Sequence, residues 1–409
     1  MAFTTPPLAL YVHFPWCVRK CPYCDFNSYT LRDQLPEQRY VDALIADMRS
    51  QAHSVRGRRL TSVFMGGGTP SLFAPAAIAR VLEAARDCFG LTAESEITLE
   101  ANPGAIERGR FAEYRAAGVN RVSLGAQSFD ASRLERLGRI HSPAETCRAA
   151  EELHAAGLSN FNLDLMFGLP GQDVTAALAD IDRALALRPA HLSHYELTLE
   201  PGTVFAAEPP ELPQDEALAD MQRACELRLG EHGFAQYEVS AYARGASFAR
   251  HNLNYWTFGD YLGVGAGAHG KLSFVATGRI VRTARTREPR RYLAGLSAVA
   301  HDTTGDATAQ AELHERPIAA HDLPFEFMMN ALRLTAGFER GLFEARTGLK
   351  WDVIAATMEE LERKGLVQSS PERCRPTTSG TRFLNDLLVR FLPEGGSQDA
   401  SQRMLSTVS

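Results

Sequence analysis

The chain has 409 residues, of which 45% are apolar, and a formal net charge of −6. A chain of this length can bury a substantial core, and we expect one large domain with a smaller companion, or two to three domains. The acidic balance disfavours nucleic acid as a partner. No run of about 18 apolar residues is present, which disfavours a membrane-spanning helix.

The seven cysteines are unevenly spread, with three inside eight residues and the other four single. An odd number without an export signal argues against a disulfide framework and for a reducing compartment. The first ten residues lack the basic region, apolar run and cleavage site of a signal peptide. We therefore expect a cytoplasmic location, with peripheral membrane association left open.

Short strand-like runs alternate with longer helical stretches through the first half of the chain. Parallel strands need long crossover connections, and the predicted helices are long enough to supply them. Six strand–helix units in a row therefore predict an α/β fold with a parallel sheet or barrel. The predicted strands are Leu8–Phe14, Ser62–Met65, Glu96–Glu100, Arg121–Leu124, Phe161–Met166 and His191–Leu197. The predicted helices between them are Glu37–Ala52, Ala74–Cys88, Ala105–Ala117, Pro143–Ala156 and Val174–Leu187.

The second half of the chain predicts two smaller units. A polar connection and the amphipathic helix Asp215–His232 lead into Gly245–Arg285, which is rich in Gly and aromatics and predicts strands and loops. Three later helices followed by a short strand predict a small winged-helix-like domain. Its last helix, Trp351–Lys364, is acidic, so we expect a lid or a protein-contact domain rather than a DNA reader.

These patterns divide the chain into four predicted segments. The tail is predicted to be disordered because it is polar and rich in Ser and Gly. The segments are the core at 1–240, an α/β extension at 241–320, the winged-helix-like domain at 321–392 and the tail at 393–409.

The clustered cysteines follow the first predicted strand as Cys17-Val-Arg-Lys-Cys21-Pro-Tyr-Cys24. Thiolates this close together on a loop can converge on one metal centre, and a cubane held by three cysteines leaves one iron open. A structural zinc site would need a fourth ligand, for which His13 is the nearby candidate. A redox Cys21–Cys24 pair would leave Cys17 unexplained.

The C-x3-C-x-aromatic-C spacing resembles the signature of the radical S-adenosylmethionine (SAM) superfamily. The resemblance implies a partial (β/α)6 barrel, a [4Fe-4S] cluster bound by Cys17, Cys21 and Cys24, and SAM chelated to the open iron. It also places Tyr23 where an aromatic ring packs on the adenine of SAM. From Tyr11 to about residue 393 the chain is similar to the oxygen-independent coproporphyrinogen III oxidase family.

A glycine run and several polar residues stand where the resembled family binds SAM. Gly66 to Gly68 follow the second predicted strand, where glycines let a ligand approach the backbone, although such a run alone is most often a tight turn. Polar residues at the carboxyl ends of barrel strands converge on one site, although each alone could be a helix cap or a satisfied core group. The family resemblance implies SAM contacts for Tyr11, Tyr23, Gly67, Gly68, Thr69, Glu100, Gln127, Arg139 and Asp164.

A second glycine motif, Gly265-Ala-Gly267-Ala-His-Gly270, matches a dinucleotide-binding fingerprint literally. That fingerprint must open a helix, whereas the following residues, Lys271–Val275, are predicted as a strand. We therefore expect a loop whose backbone approaches the SAM pocket, with His269 as a minor candidate residue.

Two departures distinguish the chain from the porphyrinogen oxidases of the resembled family. The oxidases carry a further cysteine two residues after the third, where this chain has Phe26. They also carry a longer segment before the cluster motif, which here begins after sixteen residues. Both features favour a branch of heme chaperones within the family.

The sequence His251-Asn-Leu-Asn-Tyr255-Trp256 resembles a motif typical of that branch. An imidazole beside two large aromatic rings can ligate heme iron while the rings pack on the macrocycle. The alternative is a core histidine bonded within an aromatic cluster. We predict heme as a ligand and His251 as the candidate axial residue.

The leading hypothesis is a heme-binding chaperone that binds a [4Fe-4S] cluster and SAM and delivers heme to respiratory membrane proteins. The alternative is an oxygen-independent coproporphyrinogen III oxidase, in which the same cofactors drive oxidative decarboxylation. A simple electron-transfer protein would not need the SAM residues. Whether the chain is an enzyme is left open, as is a homodimer.

Overall fold

The computed structural model describes residues 3–104, 109–301 and 313–393. Within these ranges the chain forms a large sheet flanked by helices and a small C-terminal unit. The strands are Leu8–Phe14 (β1), Trp16–Cys17 (β2), Tyr29–Thr30 (β3), Leu60–Gly67 (β4), Leu91–Ala101 (β5), Arg121–Gln127 (β6), Phe161–Phe167 (β7), His191–Glu196 (β8), Phe234–Glu238 (β9), Ala241–Arg244 (β10), Asp260–Val264 (β11), His269–Phe274 (β12), Arg279–Arg285 (β13), Leu313–Pro317 (β14), Phe338–Glu339 (β15), Val367–Ser369 (β16) and Arg373–Pro376 (β17). The helices are Glu37–Gln51 (α1), Pro75–Phe89 (α2), Phe111–Ala117 (α3), Ala131–Arg136 (α4), Pro143–Ala155 (α5), Val174–Ala186 (α6), Val204–Ala207 (α7), Asp215–Glu231 (α8), Arg250–Trp256 (α9), Pro289–His301 (α10), Leu323–Ala331 (α11), Arg340–Thr347 (α12), Asp352–Arg363 (α13), Thr378–Arg382 (α14) and Leu384–Leu388 (α15).

Seven neighbouring strands of the large sheet run parallel, in the spatial order β11-β1-β4-β5-β6-β7-β8. Six of them are the six predicted strands, and the seventh, β11, comes from the predicted extension. Helices α1, α2, α3, α5 and α6 supply the crossover connections between successive strands. The prediction of a parallel α/β sheet is therefore confirmed.

Alternation along the parallel strands separates an apolar face from a polar one. In β1, Val12 and Phe14 are buried in the main core, where the Phe14 ring packs on Tyr40 of α1. Tyr11 and His13 alternate with them, and their side chains hydrogen-bond to each other on the concave face at 2.9 Å. The convex face thus binds the helices, and the concave face is left for polar chemistry.

Antiparallel strands extend the sheet at both edges. Strands β10 and β9 follow β8 on one side, and β12, β13 and β14 follow β11 on the other. Because β9 and β10 pair with each other, the sheet continues across residue 240, where the core was predicted to give way to the extension. The boundaries of the four segments stay predictions.

The C-terminal unit has the element order α11, β15, α12, α13, β16, β17, and its three strands form one antiparallel sheet. Aromatic edge-to-face contacts fill its core, in which Phe343 lies 5.3 Å from Phe327 and 5.9 Å from Trp351 between ring centres. The three helices and the strand after them correspond to predicted elements, β15 and β17 were not predicted, and the winged-helix-like assignment stays a prediction. The predicted helix Trp351–Lys364 corresponds to α13.

Two predictions concern parts of the chain that the structure does not describe. The predicted disordered tail lies outside the described residues from position 394 onwards, and the first four residues of the predicted helix Ala105–Ala117 do so as well.

No helix in the described ranges is long and apolar enough to cross a lipid bilayer.

Asp260, at the start of β11, is a buried carboxylate that joins three segments of the sheet. It accepts hydrogen bonds from Lys271 Nζ and the Ser273 amide, both at 3.0 Å, and Arg58 Nη1 lies 2.9 Å from its Oδ2 atom. Burial acts to raise the pKa of the Asp260 carboxyl, but the two cations outweigh it and lower that pKa below its ordinary value. The paired charges therefore tie β11 and β12 to the turn before β4.

We expect Asp260→Ala to lower the free energy of unfolding by about 3–5 kcal/mol, because Lys271 would be left buried and charged without its partner. Chemical denaturation followed by tryptophan fluorescence measures the loss. Asp182→Ala, which removes one of the two acidic partners of the partly exposed Arg228, is the matched control and should leave stability almost unchanged. Equal losses in the two variants would contradict the role given to Asp260.

Candidate functional site

The three cysteines lie on the loop between β1 and α1, at the carboxyl edge of the parallel strands. The loop is closed by a short parallel pair in which Trp16 of β2 faces Tyr29 of β3. A turn follows in which the Cys24 amide donates to the Cys21 carbonyl at 3.2 Å. The thiols of Cys17, Cys21 and Cys24 are free and partly exposed. The loop therefore presents three sulfur atoms at the end of the sheet where barrel sites form.

The thiols of Cys21 and Cys24 each have a polar neighbour. Cys21 Sγ accepts a hydrogen bond from Arg139 Nη1 at 3.8 Å, and Cys24 Sγ lies 3.7 Å from Ser28 Oγ. Burial raises the pKa of the Cys17 thiol to about 11. Within the described ranges no three His, Cys, Asp or Glu side chains are placed to hold one metal ion. In a cubane each thiolate binds a different iron atom, and ligation of a [4Fe-4S] cluster by Cys17, Cys21 and Cys24 stays a prediction.

A cavity lies directly beside the cysteines, and Asn102 organises its wall. Asn102 Oδ1 accepts a hydrogen bond from Arg139 Nη2 at 2.5 Å, and its Nδ2 donates to Thr69 Oγ1 at 2.9 Å. The sequence prediction missed Asn102, although its place just after a strand and directly before Pro103 could have indicated it. The cavity lining includes Cys17, Val18, Arg19, Cys21, Thr69, Asn102, Arg139, Ile140 and His141.

Gly67 and Gly68 allow the end of β4 to pack against the start of the cysteine loop. Gly67 has a φ of +108°, and a Cβ atom there would overlap the His13 ring. A Cβ atom on Gly68 would lie 2.7 Å from the Phe14 carbonyl oxygen. The amides of residues 68 and 69 instead donate to the Phe14 and Trp16 carbonyls at 2.7 and 2.8 Å. The glycine run therefore anchors the cysteine loop, a role that sequence reasoning missed when it weighed ligand approach against a tight turn.

Glu100 of β5 and Asp164 of β7 place two half-buried carboxyl groups on the concave face. Glu100 Oε2 accepts a hydrogen bond from the Gly67 amide at 3.1 Å, and Asp164 accepts from Ser123 Oγ at 3.0 Å and Asn162 Nδ2 at 2.7 Å. Burial, and then the charge of Asp164, raise the pKa of Glu100 to about 8. Burial also raises the pKa of Asp164. Such a pair suits a ligand that brings an ammonium or hydroxyl donors.

Gln127 and Arg139 complete the polar wall at the end of β6. Gln127 has a φ of +64°, which is uncommon for a residue with a side chain, and its Oε1 accepts a hydrogen bond from Tyr195 Oη at 2.8 Å. Arg139 Nη2 donates to the Gly125 carbonyl at 2.7 Å. The structure thus brings Arg139 and Gln127 to the same strand end, with the guanidinium directed towards Cys21.

The two predicted tyrosines lie in different parts of the same region. The Tyr11 ring stacks on Phe64 with 6.3 Å between centres, and burial together with the charge of Glu100 raises its pKa. Tyr23 lies 6.4 Å from Phe205 between ring centres, in an apolar cluster that includes Met166. Tyr11 therefore borders the carboxyl pair, and Tyr23 offers an apolar surface beside the cysteines.

His251 does not join the other predicted site residues. It lies near the amino ends of the strands, where its Nδ1 is 3.0 Å from Ser62 Oγ and its Nε2 is 2.9 Å from Tyr255 Oη. Its ring stacks on Phe64, which separates it from Tyr11. Burial lowers the pKa of His251 to about 3. Both ring nitrogens have partners within the protein, and ligation of heme by His251 stays a prediction.

The second glycine motif packs on the cysteine loop. Strand β12 begins at His269, as predicted for the residues after the motif, so the motif does not open a helix. Asn27 Nδ2 donates to the Ala266 carbonyl at 3.0 Å, and His13 Nε2 is 2.9 Å from the Asn27 carbonyl. The motif thus supports the cysteine loop from the side of β11, and its contact with SAM stays a prediction.

Comparisons with known proteins agree with this geometry. A family model described as the Radical SAM superfamily matches residues 11–184, and one described as the HemN C-terminal domain matches residues 318–383. The solved structure of coproporphyrinogen III oxidase (HemN) from Escherichia coli, described as a radical SAM enzyme, matches with a TM-score of 0.78 at 22% identity over 95% of this chain and 90% of that one. The chain therefore contains a radical SAM domain, and the predicted α/β fold class is confirmed, whereas the winged-helix-like character of the C-terminal unit stays a prediction.

Curated relatives define the family more closely. The heme chaperone HemW of Escherichia coli K12 is 46% identical over 389 residues, covering 95% of this chain and 99% of that protein. HemW of Bacillus subtilis is 31% identical over 94% of this chain and 99% of that protein. A mouse protein called radical S-adenosyl methionine domain-containing protein 1, mitochondrial, is 37% identical over 94% and 87%. The chain belongs to the HemW family.

We expect Gly67→Ala to displace the cysteine loop and to lower the [4Fe-4S] absorbance obtained after anaerobic reconstitution, because the new Cβ atom would overlap His13. Gly57→Ala is the matched control, since Gly57 also has a positive φ but a Cβ atom there would meet no other atom within 4 Å. In Gly57→Ala the only expected cost is the backbone strain of a positive φ, about 1–2 kcal/mol. Equal cluster content in the two variants would contradict the anchoring role.

The raised pKa of Glu100 predicts a pH dependence for the cofactor-free protein. The unfolded chain releases this proton near pH 4.5 and the folded chain near pH 8, so the free energy of unfolding should fall as the pH rises between these values. The free energy of unfolding of Glu100→Gln should equal that of the wild type near pH 4 and exceed it above pH 8. Denaturation midpoints across the pH range measure this, with the exposed-helix variant Glu83→Gln as the charge control. If the denaturation midpoints of Glu100→Gln and the wild type change with pH in parallel, the raised pKa of Glu100 is contradicted.

Proposed function

We propose that the protein is a heme-binding chaperone that carries a [4Fe-4S] cluster on Cys17, Cys21 and Cys24, binds SAM beside it and delivers heme to respiratory membrane proteins. The observation that supports this most strongly is the near-full-length similarity to proteins named heme chaperone HemW. We place this activity in the cytoplasm, with peripheral contact at the membrane where heme is handed over.

The polar residues of the concave face suit the parts of SAM. When bound, the cluster and SAM supply one-electron reductive chemistry. Arg139 would hold the SAM carboxylate through a charge-assisted hydrogen bond. Glu100 would accept from the ammonium group, whose positive charge would favour its ionised form. Asp164 would accept from the ribose hydroxyls, and Tyr23 would pack on the adenine.

The remaining predicted residues would shape the pocket. Gly67 and Gly68 would expose backbone to the methionine portion of SAM, beside the Thr69 hydroxyl, and Gln127 and Tyr11 would border the ribose. Each of these positions lies on or directly after a parallel strand. Because the same glycines also hold the cysteine loop, the cluster and the SAM pocket would be positioned together.

Heme ligation by His251 would require a local rearrangement. His251 would have to exchange its hydrogen bond with Tyr255 or Ser62 for the heme iron. Displacement of α9 would expose the imidazole, which ligates iron in its neutral form. The His251→Ala variant therefore tests the ligand separately from heme binding itself.

The deciding experiment is an anaerobic titration of the reconstituted full-length protein with heme, followed through the Soret band. We expect saturable binding near one heme per chain by the wild type. His251→Ala should change the Soret position if His251 is the axial ligand. Absence of saturable binding by the wild type would overturn the heme-chaperone proposal.

Two further measurements separate the cofactors from the activity. Cys17→Ala, Cys21→Ala and Cys24→Ala should each lose the stable [4Fe-4S] spectrum, whereas Cys147→Ala, which removes a single partly exposed cysteine, should keep it.

Incubation of the holoprotein with coproporphyrinogen III, SAM and reductant should yield no protoporphyrinogen IX. Coupled product formation would instead support the oxidase alternative.

A further inference from the structure

Gln127, at the end of β6, has a backbone conformation that is costly for a residue with a side chain. Its φ is +64°, and the Ser128 amide donates to the Ala126 carbonyl at 2.8 Å, so that the hydrogen bond encloses Gln127 alone. A bond of this span around a residue with positive φ forms the rarer, strained type of γ-turn. Such strain persists only where the surrounding structure enforces it, and it is most often found at functional sites. The turn after β6 therefore needs support from outside.

Asp180 of α6 supplies this support from the neighbouring strand–helix unit. Its Oδ2 atom accepts a hydrogen bond from Ser128 Oγ at 2.8 Å, and its Oδ1 atom accepts from the Phe129 amide at 2.6 Å. Gln172 Nε2 also donates to Oδ2, at 3.4 Å. Both oxygens of the carboxylate are thus used, and they bind the two residues that directly follow Gln127.

Asp180 is the one charged residue among the buried positions of α6. It is 5% exposed, and burial raises the pKa of its carboxyl, whereas the hydrogen bonds from Phe129 and Ser128 act to lower that pKa. A buried carboxylate costs free energy unless hydrogen bonds compensate it. The other buried residues of the helix are apolar: Ala177, Ile181, Ala184 and Leu185. The partners of Asp180 in the turn, rather than apolar packing, therefore account for a carboxylate at this position.

We propose that Asp180 is a positioning residue for the SAM pocket, because it holds the turn after β6 in the conformation that directs Gln127 into the concave face. The inference rests on the proposed SAM pocket, and Asp180 itself would not touch SAM. Tyr195 Oη donates to Gln127 Oε1 at 2.8 Å, which leaves Gln127 Nε2 as the donor to a ligand oxygen. The backbone and the side chain of Gln127 are thus held by separate contacts. Loss of Asp180 would release the backbone, and the amide would no longer be presented to the ligand.

The test measures SAM binding by the reconstituted full-length protein, through anaerobic equilibrium dialysis with radiolabelled SAM. Asp180→Ala should raise the dissociation constant of SAM about tenfold and leave the [4Fe-4S] content unchanged. Asp180→Asn should stay within about twofold of the wild type, because its amide oxygen can still accept from the Phe129 amide. Asp173→Ala is the matched control, since Asp173 caps the same helix through the Ala176 amide at 2.8 Å. It should weaken α6 without changing SAM binding.

Amide hydrogen exchange in the cofactor-free protein reports on the turn itself. Exchange over residues 127–130 should be faster in Asp180→Ala than in the wild type and unchanged in Asp173→Ala. Ser128→Ala removes only one of the two hydrogen bonds from the turn to Asp180, so it is the milder variant if Asp180→Ala does not fold. It should raise the dissociation constant of SAM about threefold.

A double-variant cycle separates positioning from general stability. Gln127→Gly removes the amide that would meet SAM and also the strain, because glycine adopts a positive φ freely. If Asp180 acts through Gln127, adding Asp180→Ala to Gln127→Gly should weaken SAM binding little further. A loss of general stability would instead weaken binding equally in both backgrounds.

The outcomes distinguish this inference from the proposed function. Unchanged SAM affinity in a folded Asp180→Ala protein, or in Ser128→Ala, would overturn the positioning role. Equal losses in the wild-type and Gln127→Gly backgrounds would assign Asp180 to general stability and would overturn it as well. A wild-type protein that binds no SAM would overturn the proposed SAM pocket and this inference together. The expected pattern of SAM affinities in a protein that binds no heme would overturn the heme-chaperone proposal alone.

Discussion

The candidate site depends on a close backbone contact between the ends of β1 and β4. The amides of Gly68 and Thr69 donate to the carbonyls of Phe14 and Trp16, and the absence of side chains at Gly67 and Gly68 makes this approach sterically allowed. A chain of hydrogen bonds then runs from the Thr69 hydroxyl through Asn102 to Arg139 and from there to Cys21. One steric constraint therefore sets the position of the cysteine loop relative to β5 and β6.

Burial determines the electrostatics of the concave face. Glu100 and Asp164 have raised pKa values because the sheet removes them from water and places them close together. The unloaded site therefore holds carboxyl groups that would gain from a positively charged or hydrogen-bond-donating ligand. This is the physical link between the fold and the proposed SAM pocket, and it explains why binding and ionisation should be coupled there.

The two ends of the parallel sheet carry different chemistry. The carboxyl end presents thiols and an arginine, whereas α9 packs near the amino end through contacts of His251 with Ser62 and Phe64. The cluster and SAM are proposed at the first end, and the predicted heme ligand lies at the second. A heme chaperone built this way would need α9 to open, which makes the packing of α9 a natural point of control.

The sequence by itself determined the six strand segments of the parallel core and the clustering of three cysteines directly after the first of them. Alternating and helical apolar periods reflect local burial, and the cysteine spacing is short enough to be local as well. Only the tertiary structure decided that β11 joins β1, that Asn102 bridges Thr69 and Arg139, and that His251 lies apart from the cysteines with both nitrogens bonded. These contacts join residues far apart in the chain, and such pairings leave no periodic trace in a single sequence.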